Sequence, residues 1–298
     1  MNLWIGAGVA LITPFKNGEI DFVSLKRLIE WQIQEGTDAL VMAGTTGESA
    51  TLSKEEKLAL FRFTVDLVKG RVPVIAGTGS NSTSDSISLS REAEKLGVDG
   101  LLLVTPYYNK PSQRGLYAHY KAVADAVKLP IILYNVPGRT SVDLLPETVV
   151  KLSEIENIVG LKEASGEPDR AETILKEVKE NFRVYSGNDN EICAFMERGA
   201  HGVISVLSNV VPKAVHEMVY DYVEGRTEKS FASQSNYDEL TSALFMDTNP
   251  VPAKEALNLM GYEAGELRLP LVGLEEQSRE QLISVLSAYG LLEGGEGR

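Results

Sequence analysis

The sequence predicts an α/β fold, a (β/α)8 TIM barrel with a C-terminal helical appendage. Eight short apolar runs recur at residues 8–12, 39–43, 72–76, 100–104, 130–134, 158–162, 182–186 and 202–206. They are mostly continuous rather than alternating, as the strands of a parallel sheet buried on both faces must be. Longer stretches with apolar residues at helical spacing separate them, the βαβ alternation that closes into a barrel. A doubly wound sheet, the main competitor, usually has fewer strands and opens on a glycine fingerprint. Here the first run leads into Thr13-Pro14-Phe15-Lys16, with no G-x-G-x-x-G.

The helices can be read in order. Residues 22–33 place Phe22, Leu25, Leu28, Ile29 and Ile33 on one face, and 54–68 place Leu58, Phe61, Val65 and Val68 likewise. Ser53 with Glu56 three residues on is a capping box, and Pro146 suits a first helical turn. Gly36, Gly70, Gly97 and Gly199 are stop signals. After the eighth run the strand signal ends. Residues 211–223, 230–245, 253–260 and 278–289 read as helices, and the Gly-rich tail 293–298 as frayed. The expected division is a catalytic barrel over residues 1–224 and a helical region over 225–298.

Composition narrows the function. The chain has 298 residues, with 29 basic against 42 acidic side chains and a net charge of −13. That surplus argues against nucleic acid and against anionic membranes as partners, since both need a basic face. No run reaches the roughly 18 apolar residues of a membrane helix. The start, Met1-Asn2-Leu3-Trp4-Ile5, lacks the positive region of a signal peptide, so a soluble cytoplasmic protein is expected. A single cysteine, Cys193, excludes a disulfide framework and reads as core filler in an apolar helix. The dispersed His119, His201 and His216 speak against a His-rich metal centre or a His-dependent triad, and no metal or organic cofactor is expected.

Barrel enzymes carry their reactive groups at the C-terminal ends of the strands. Lys162 closes the sixth run, and desolvation there favours a neutral amine, which can attack a carbonyl to form a Schiff base. A strand-end lysine paired with Glu163 or a neighbouring carboxylate is the plainer alternative. Tyr134 ends the fifth run beside it, as a proton shuttle or as a packing tyrosine. Thr45 and Thr46, between Gly44 and Gly47, form a polar turn able to hold a carboxylate. Arg139 could clamp a second carboxylate or lie free on the surface. Tyr107-Tyr108 sits on an exposed loop of the kind found at interfaces.

Four motifs occur in this order on these strands: Gly44-Thr45-Thr46-Gly47-Glu48-Ser49, Thr105-Pro106-Tyr107-Tyr108-Asn109-Lys110-Pro111, Tyr134-Asn135-Val136-Pro137-Gly138-Arg139-Thr140 and Gly160-Leu161-Lys162-Glu163-Ala164. Together they resemble the dihydrodipicolinate synthase family. The resemblance runs from about residue 5 to residue 292 and includes Asn249-Pro250-Val251-Pro252-Ala253-Lys254 and Leu267-Arg268-Leu269-Pro270.

The resemblance implies a lyase that condenses pyruvate with L-aspartate 4-semialdehyde to 4-hydroxy-tetrahydrodipicolinate, on the way to diaminopimelate and lysine. It implies a covalent pyruvate Schiff base on Lys162, with Thr45 and Thr46 on the pyruvate carboxylate. Tyr134, Thr46 and Tyr108 would form a hydroxyl relay, with Tyr108 supplied by a neighbouring subunit of a homotetramer built as a dimer of dimers. Arg139 would bind the semialdehyde carboxylate, and Gly187 and Ile204 would line the pocket through their backbones.

The resemblance also implies an effector site for lysine near Ser49, Ala50, Lys54, Lys57, Asn81, Asp85 and Tyr107. In members that lysine inhibits, the positions of Lys54 and Lys57 tend to carry histidine or an acid. Two lysines there should repel a cationic amino acid, so weak or absent inhibition is expected. Other Schiff-base pyruvate aldolases, of the N-acetylneuraminate lyase or 2-keto-3-deoxy sugar acid type, are the nearest alternative. A catalytically silent homologue is the alternative from another class. Residues 201–298 hold 7 basic and 15 acidic side chains, −8 of the −13. For two anionic substrates this suggests an acid-rich appendage lying mostly away from the mouth of the site.

Overall fold

The computed structural model describes residues 3–292. Strand β1 (Gly6–Ala10) is followed by a small hairpin, β2 (Phe15–Lys16) with β3 (Glu19–Ile20), and then by β4 (Ala39–Met42), β5 (Val74–Gly77), β6 (Gly100–Val104), β7 (Ile131–Asn135), β8 (Ile158–Glu163), β9 (Arg183–Ser186) and β10 (Gly202–Ser205). All but the hairpin form one closed barrel in which each strand pairs in parallel with the next and β10 returns to β1. The eight apolar runs are therefore the eight barrel strands, displaced by no more than two residues at either end. The hairpin was not expected. Its Asn17-Gly18 turn, with both residues at positive φ, was the available signal.

Alternation decides which side chains fill the barrel. Val41, Ile75, Leu102, Ile132, Tyr134, Tyr185 and Ile204 form its interior cluster, closed below by Leu3 and Trp4. The opposite faces of the strands pack against the helices in a larger cluster that includes Leu40, Leu101, Leu133 and Leu161. Closure needs one special residue. Gly202 has φ 142°, and a Cβ there would stand 1.9 Å from the Gly6 carbonyl oxygen, so β10 meets β1 at a distance only glycine permits.

The outer layer comprises α1 (Phe22–Gln34), α2 (Lys54–Val68), α3 (Thr83–Leu96), α4 (Gln113–Ala124), the short α5 (Pro137–Thr140), α6 (Pro146–Ser153), α7 (Asp169–Leu175), α8 (Ile192–Glu197) and α9 (Pro212–Val223). The capping box is in place: Ser53 Oγ accepts from Glu56 N at 3.1 Å and Ser53 N donates to Glu56 Oε2 at 2.8 Å. Pro146 opens α6, and the four stop glycines all have positive φ.

Helices α10 (Thr227–Asn236), α11 (Asp238–Leu244), α12 (Val251–Leu259) and α13 (Glu276–Ala288) complete the chain. The single helix expected over residues 230–245 is two. The break at Tyr237 lets α10 pack on α8 and α9 while α11 turns to α12 and α13. Tyr237 itself stacks on Tyr289, with centroids 5.6 Å apart. A second core, with Ile192, Val215, Leu240, Ala253 and Leu282, joins these helices to the barrel. Cys193 is buried in it, its sulfur 3.3 Å from Ser230 Oγ, which agrees with the core-filler reading. The tail 293–298 lies outside the described residues. Among the described residues no helix is long and apolar enough to cross a membrane.

Candidate active site

A cavity of about 400 Å³ opens at the C-terminal ends of β4 to β7. Ala43, Gly44, Thr45, Ser49 and Ala50 form one side of it, Leu102, Val104 and Tyr107 another, and Tyr134, Val136 and Arg139 a third. Thr248, Asn249, Pro250, Pro270 and Leu271 also line it. The helical region therefore builds part of the wall. The expectation of an appendage mostly away from the mouth is corrected here: a charge count over residues 201–298 does not reveal that the chain returns to the barrel rim at these positions.

Register sets the central pair. Strands β7 and β8 pair Ile131 with Ile158 and then, after an irregularity, Ile132 with Gly160 and Tyr134 with Lys162. A one-residue slip in a strand reverses its faces, so this bulge decides that Lys162 stands beside Tyr134. Lys162 Nζ lies 4.5 Å from the centre of the Tyr134 ring. Both side chains are buried, at 5% and 6% exposure. Gly187, just after β9, leaves room for the lysine stem, since a Cβ there would fall 3.1 Å from Lys162 Cε and 2.6 Å from Ala164 Cβ. Ile204 on β10 is fully buried in the same interior cluster as Tyr134.

Of the two pairings in the plainer reading of Lys162, the one with Glu163 does not hold. The Glu163 carboxylate accepts from Asn135 Nδ2 at 3.1 and 3.2 Å and from Ser165 N at 2.8 Å. Burial pushes that carboxyl above its ordinary range. A second buried acid, Asp189, lies two residues beyond Gly187. Its Oδ2 accepts from Val206 N and Leu207 N, each at 3.0 Å, and so fixes the end of β10 next to Ile204. Burial raises its carboxyl as well, against the opposing pull of the Lys162 charge, so Asp189 is the neighbouring carboxylate that Lys162 acts on.

The two threonines differ in placement. Thr45 is half-buried and lines the cavity. Thr46 is 2% exposed, and its Oγ1 accepts from Asn249 Nδ2 at 3.0 Å. A hydroxyl relay was expected through Thr46, but Thr45 is the one beside the open space. The turn is held internally by Gly47 N to Gly44 O and Glu48 N to Thr45 O, both 3.1 Å. Arg139 on α5 lines the cavity and donates through Nη2 to the Asn249 carbonyl at 3.1 Å, so it is anchored rather than free on the surface. Asn249 thus touches both of the features expected to hold anions.

The paired tyrosines point in different directions. Tyr107 lines the cavity, whereas Tyr108, at φ 72°, is 88% exposed and is not part of the wall. Of the expected effector residues, Ser49, Ala50, Lys57 and Tyr107 line the same cavity. Burial lowers the Lys57 ammonium from its ordinary value. Lys54 points to Ser88 Oγ at 2.9 Å, Asp85 is exposed, and the Asn81 carbonyl accepts from Asn109 Nδ2 at 2.9 Å. These three are not brought to the cavity wall.

One group at the site was missed. Glu48, immediately after the threonine turn, has φ 55° and is 3% exposed. Its Oε1 accepts from Lys254 Nζ at 2.7 Å and its Oε2 from Arg268 N at 3.0 Å. Lys254 is itself 1% exposed and lies 4.3 Å from the Phe15 ring centre. The sequence signal was the pair of segments 249–254 and 267–270, to which no chemistry had been given. Among the described residues no group of three His, Cys, Asp or Glu side chains converges as a metal site.

Comparison with known proteins places the chain in a family of the same fold. The profile of the dihydrodipicolinate synthetase family matches residues 5–289. A 4-hydroxy-tetrahydrodipicolinate synthase from Syntrophus aciditrophicus is 50% identical, over 96% of this chain and 99% of its own. The crystal structure of dihydrodipicolinate synthase from Aquifex aeolicus superposes with a TM-score of 0.96 at 44% identity, covering 98% of this chain and all of the other. A chloride-inhibited dihydrodipicolinate synthase from Acinetobacter baumannii, solved with pyruvate, gives 0.95 at 45% identity over 97% of this chain and all of the other.

Proposed function

The chain belongs to the dihydrodipicolinate synthetase family, and from that premise we propose that it is a lyase condensing pyruvate with L-aspartate 4-semialdehyde to 4-hydroxy-tetrahydrodipicolinate, a step toward diaminopimelate and lysine. The observation that carries the reading is the register that sets the buried Lys162 against Tyr134, a tyrosine that lines the cavity together with Arg139.

The chemistry follows from these residues. The Lys162 amine adds to the pyruvate carbonyl carbon, and loss of water leaves an iminium bonded to the lysine. The iminium withdraws electrons, so the methyl carbon gives up a proton and an enamine forms. That carbon attacks the aldehyde carbon, and the resulting alkoxide takes up a proton. The amine of the semialdehyde then adds to the iminium carbon, closes the ring and expels Lys162 as a free amine. No electrons leave or enter the system, and neither metal nor organic cofactor is required.

Proton movement needs a hydroxyl beside the lysine, and Tyr134 supplies it. The relay continues through the threonine turn, and the same turn, with Thr45 on the cavity wall and Thr46 behind it, holds the pyruvate carboxylate. Arg139 takes the carboxylate of the semialdehyde. The exposure of Tyr108 suits a residue that completes the relay in a neighbouring copy, within a homotetramer arranged as a dimer of dimers. The enzyme works in the cytoplasm, with no nucleic acid or membrane partner.

Incubation with pyruvate and either L-aspartate 4-semialdehyde or N-acetylmannosamine tests the substrate. Turnover of the semialdehyde alone is expected, and turnover of the sugar alone would assign the chain to the neuraminate-lyase type instead. Lysine is a weak effector or none, because the Lys57 ammonium lines the space an incoming cation would enter. Half-inhibition by sub-millimolar lysine would contradict this.

A further inference from the structure

The segments 249–254 and 267–270 make contacts that the reaction as described does not use. We propose that Lys254 is a positioning residue: acting through Glu48, it holds the Thr45–Thr46 turn in the shape that receives the carboxylate of the keto acid. This rests on the reading of that turn as the pyruvate carboxylate site.

The argument is geometric. Glu48 belongs to the turn through its N–H bond to the Thr45 carbonyl, and its own carbonyl accepts from Thr51 N at 3.0 Å. Its φ of 55° lies in the left-handed region, which costs a non-glycine residue conformational energy that its contacts must offset. Those contacts come from far along the chain. Lys254 Nζ bonds Glu48 Oε1 and also donates to the Glu266 carbonyl at 2.6 Å. Arg268 adds its N–H to Oε2 and rests its guanidinium 4.2 Å from the centre of the Phe15 ring. Thr13 Oγ1 donates to the Gly47 carbonyl at 2.7 Å, fixing the other side of the turn.

Without the ammonium, the buried Glu48 carboxylate loses the one cation hydrogen-bonded to it, keeps only the Arg268 N–H and the more distant Arg268 guanidinium, and is no longer held in place. Glu48 itself borders the cavity, so its side chain has room to move there. That movement frees the Thr45–Thr46 turn. Because a buried ion pair can be replaced as a whole without loss of stability, its effect on geometry is separable from its effect on folding.

The test compares wild type, Lys254→Met and the double variant Glu48→Gln/Lys254→Met in the full-length protein. Thermal midpoint, KM for pyruvate, KM for aspartate semialdehyde, kcat, and borohydride trapping of pyruvate are read for each. The single variant loses thermal stability. The double variant recovers the midpoint but keeps a pyruvate KM raised roughly tenfold, the effect of loosening one charge-assisted contact. Its semialdehyde KM and its trapping at saturating pyruvate stay at wild-type levels. A double variant with both a wild-type midpoint and a wild-type pyruvate KM would overturn the proposal, as would an equal rise in both KM values. If Lys254→Met does not fold, the double variant decides alone. Failure of wild type to trap pyruvate would instead overturn the functional reading on which the proposal stands.

Discussion

Replacing Lys162 with methionine abolishes condensation, lowering turnover by about four orders of magnitude or more, the scale expected when the group that forms the covalent bond is removed. Methionine keeps the length of the stem beside Gly187 and the packing against Tyr134, so the fold survives. Arginine at 162 is no substitute. Its guanidinium stays protonated and cannot act as a nucleophile. The check is a steady-state assay with circular dichroism on the same samples. A folded Lys162→Met enzyme retaining more than about a tenth of wild-type turnover would mean that the lysine only binds substrate electrostatically.

Tyr134→Phe removes one oxygen and leaves the ring. The ring is 6% exposed and lies against Lys162 Nζ, so its packing and stability are retained. kcat falls by about 10²–10⁴, the range for loss of a positioned acid–base group. Pyruvate still reaches the lysine, so reductive trapping at long incubation remains complete while its rate drops. An intact kcat, with at most a rise in pyruvate KM, would recast Tyr134 as a packing residue.

Those two residues were legible because their signal is local. A lysine closing a continuous apolar strand, and a tyrosine closing the one before it, can be placed side by side once the strands are known to be consecutive and parallel. The barrel itself was legible for the same reason. Each strand is buried on both faces and reads as an unbroken apolar run, so the periodicity carries the topology. Even so, the register shift at Val159 of β8, between the pairs Ile131–Ile158 and Ile132–Gly160, that sets Tyr134 against Lys162 left no mark that could be read beforehand.

What was not legible depends on contacts between distant parts of the chain. Glu48 read as the end of a polar turn. Its partners Lys254 and Arg268 are separated from it by 206 and 220 residues, and neither helical nor strand periodicity refers to such a distance. Asn249 lies in a segment that looked like a connection between helices, yet it joins Thr46 to Arg139. The break at Tyr237 is similar: local helical propensity is continuous there, and packing against two different sets of helices interrupts it. The charge arithmetic failed at the mouth because a sum over ninety-eight residues (201–298) cannot say that Lys254 and Arg268 fold inward while most of the acids among the described residues face solvent.

The central claim is that Lys162 forms a covalent bond with pyruvate, and one measurement tests it directly. The protein is incubated with pyruvate, reduced with borohydride, digested and analysed by mass spectrometry. The account predicts a single reduced pyruvyl adduct, an N-carboxyethyl group, on the peptide carrying Lys162, and none when pyruvate is omitted or when Lys162 is replaced by methionine. An unmodified Lys162 peptide, or an adduct on another lysine with Lys162 free, would contradict it.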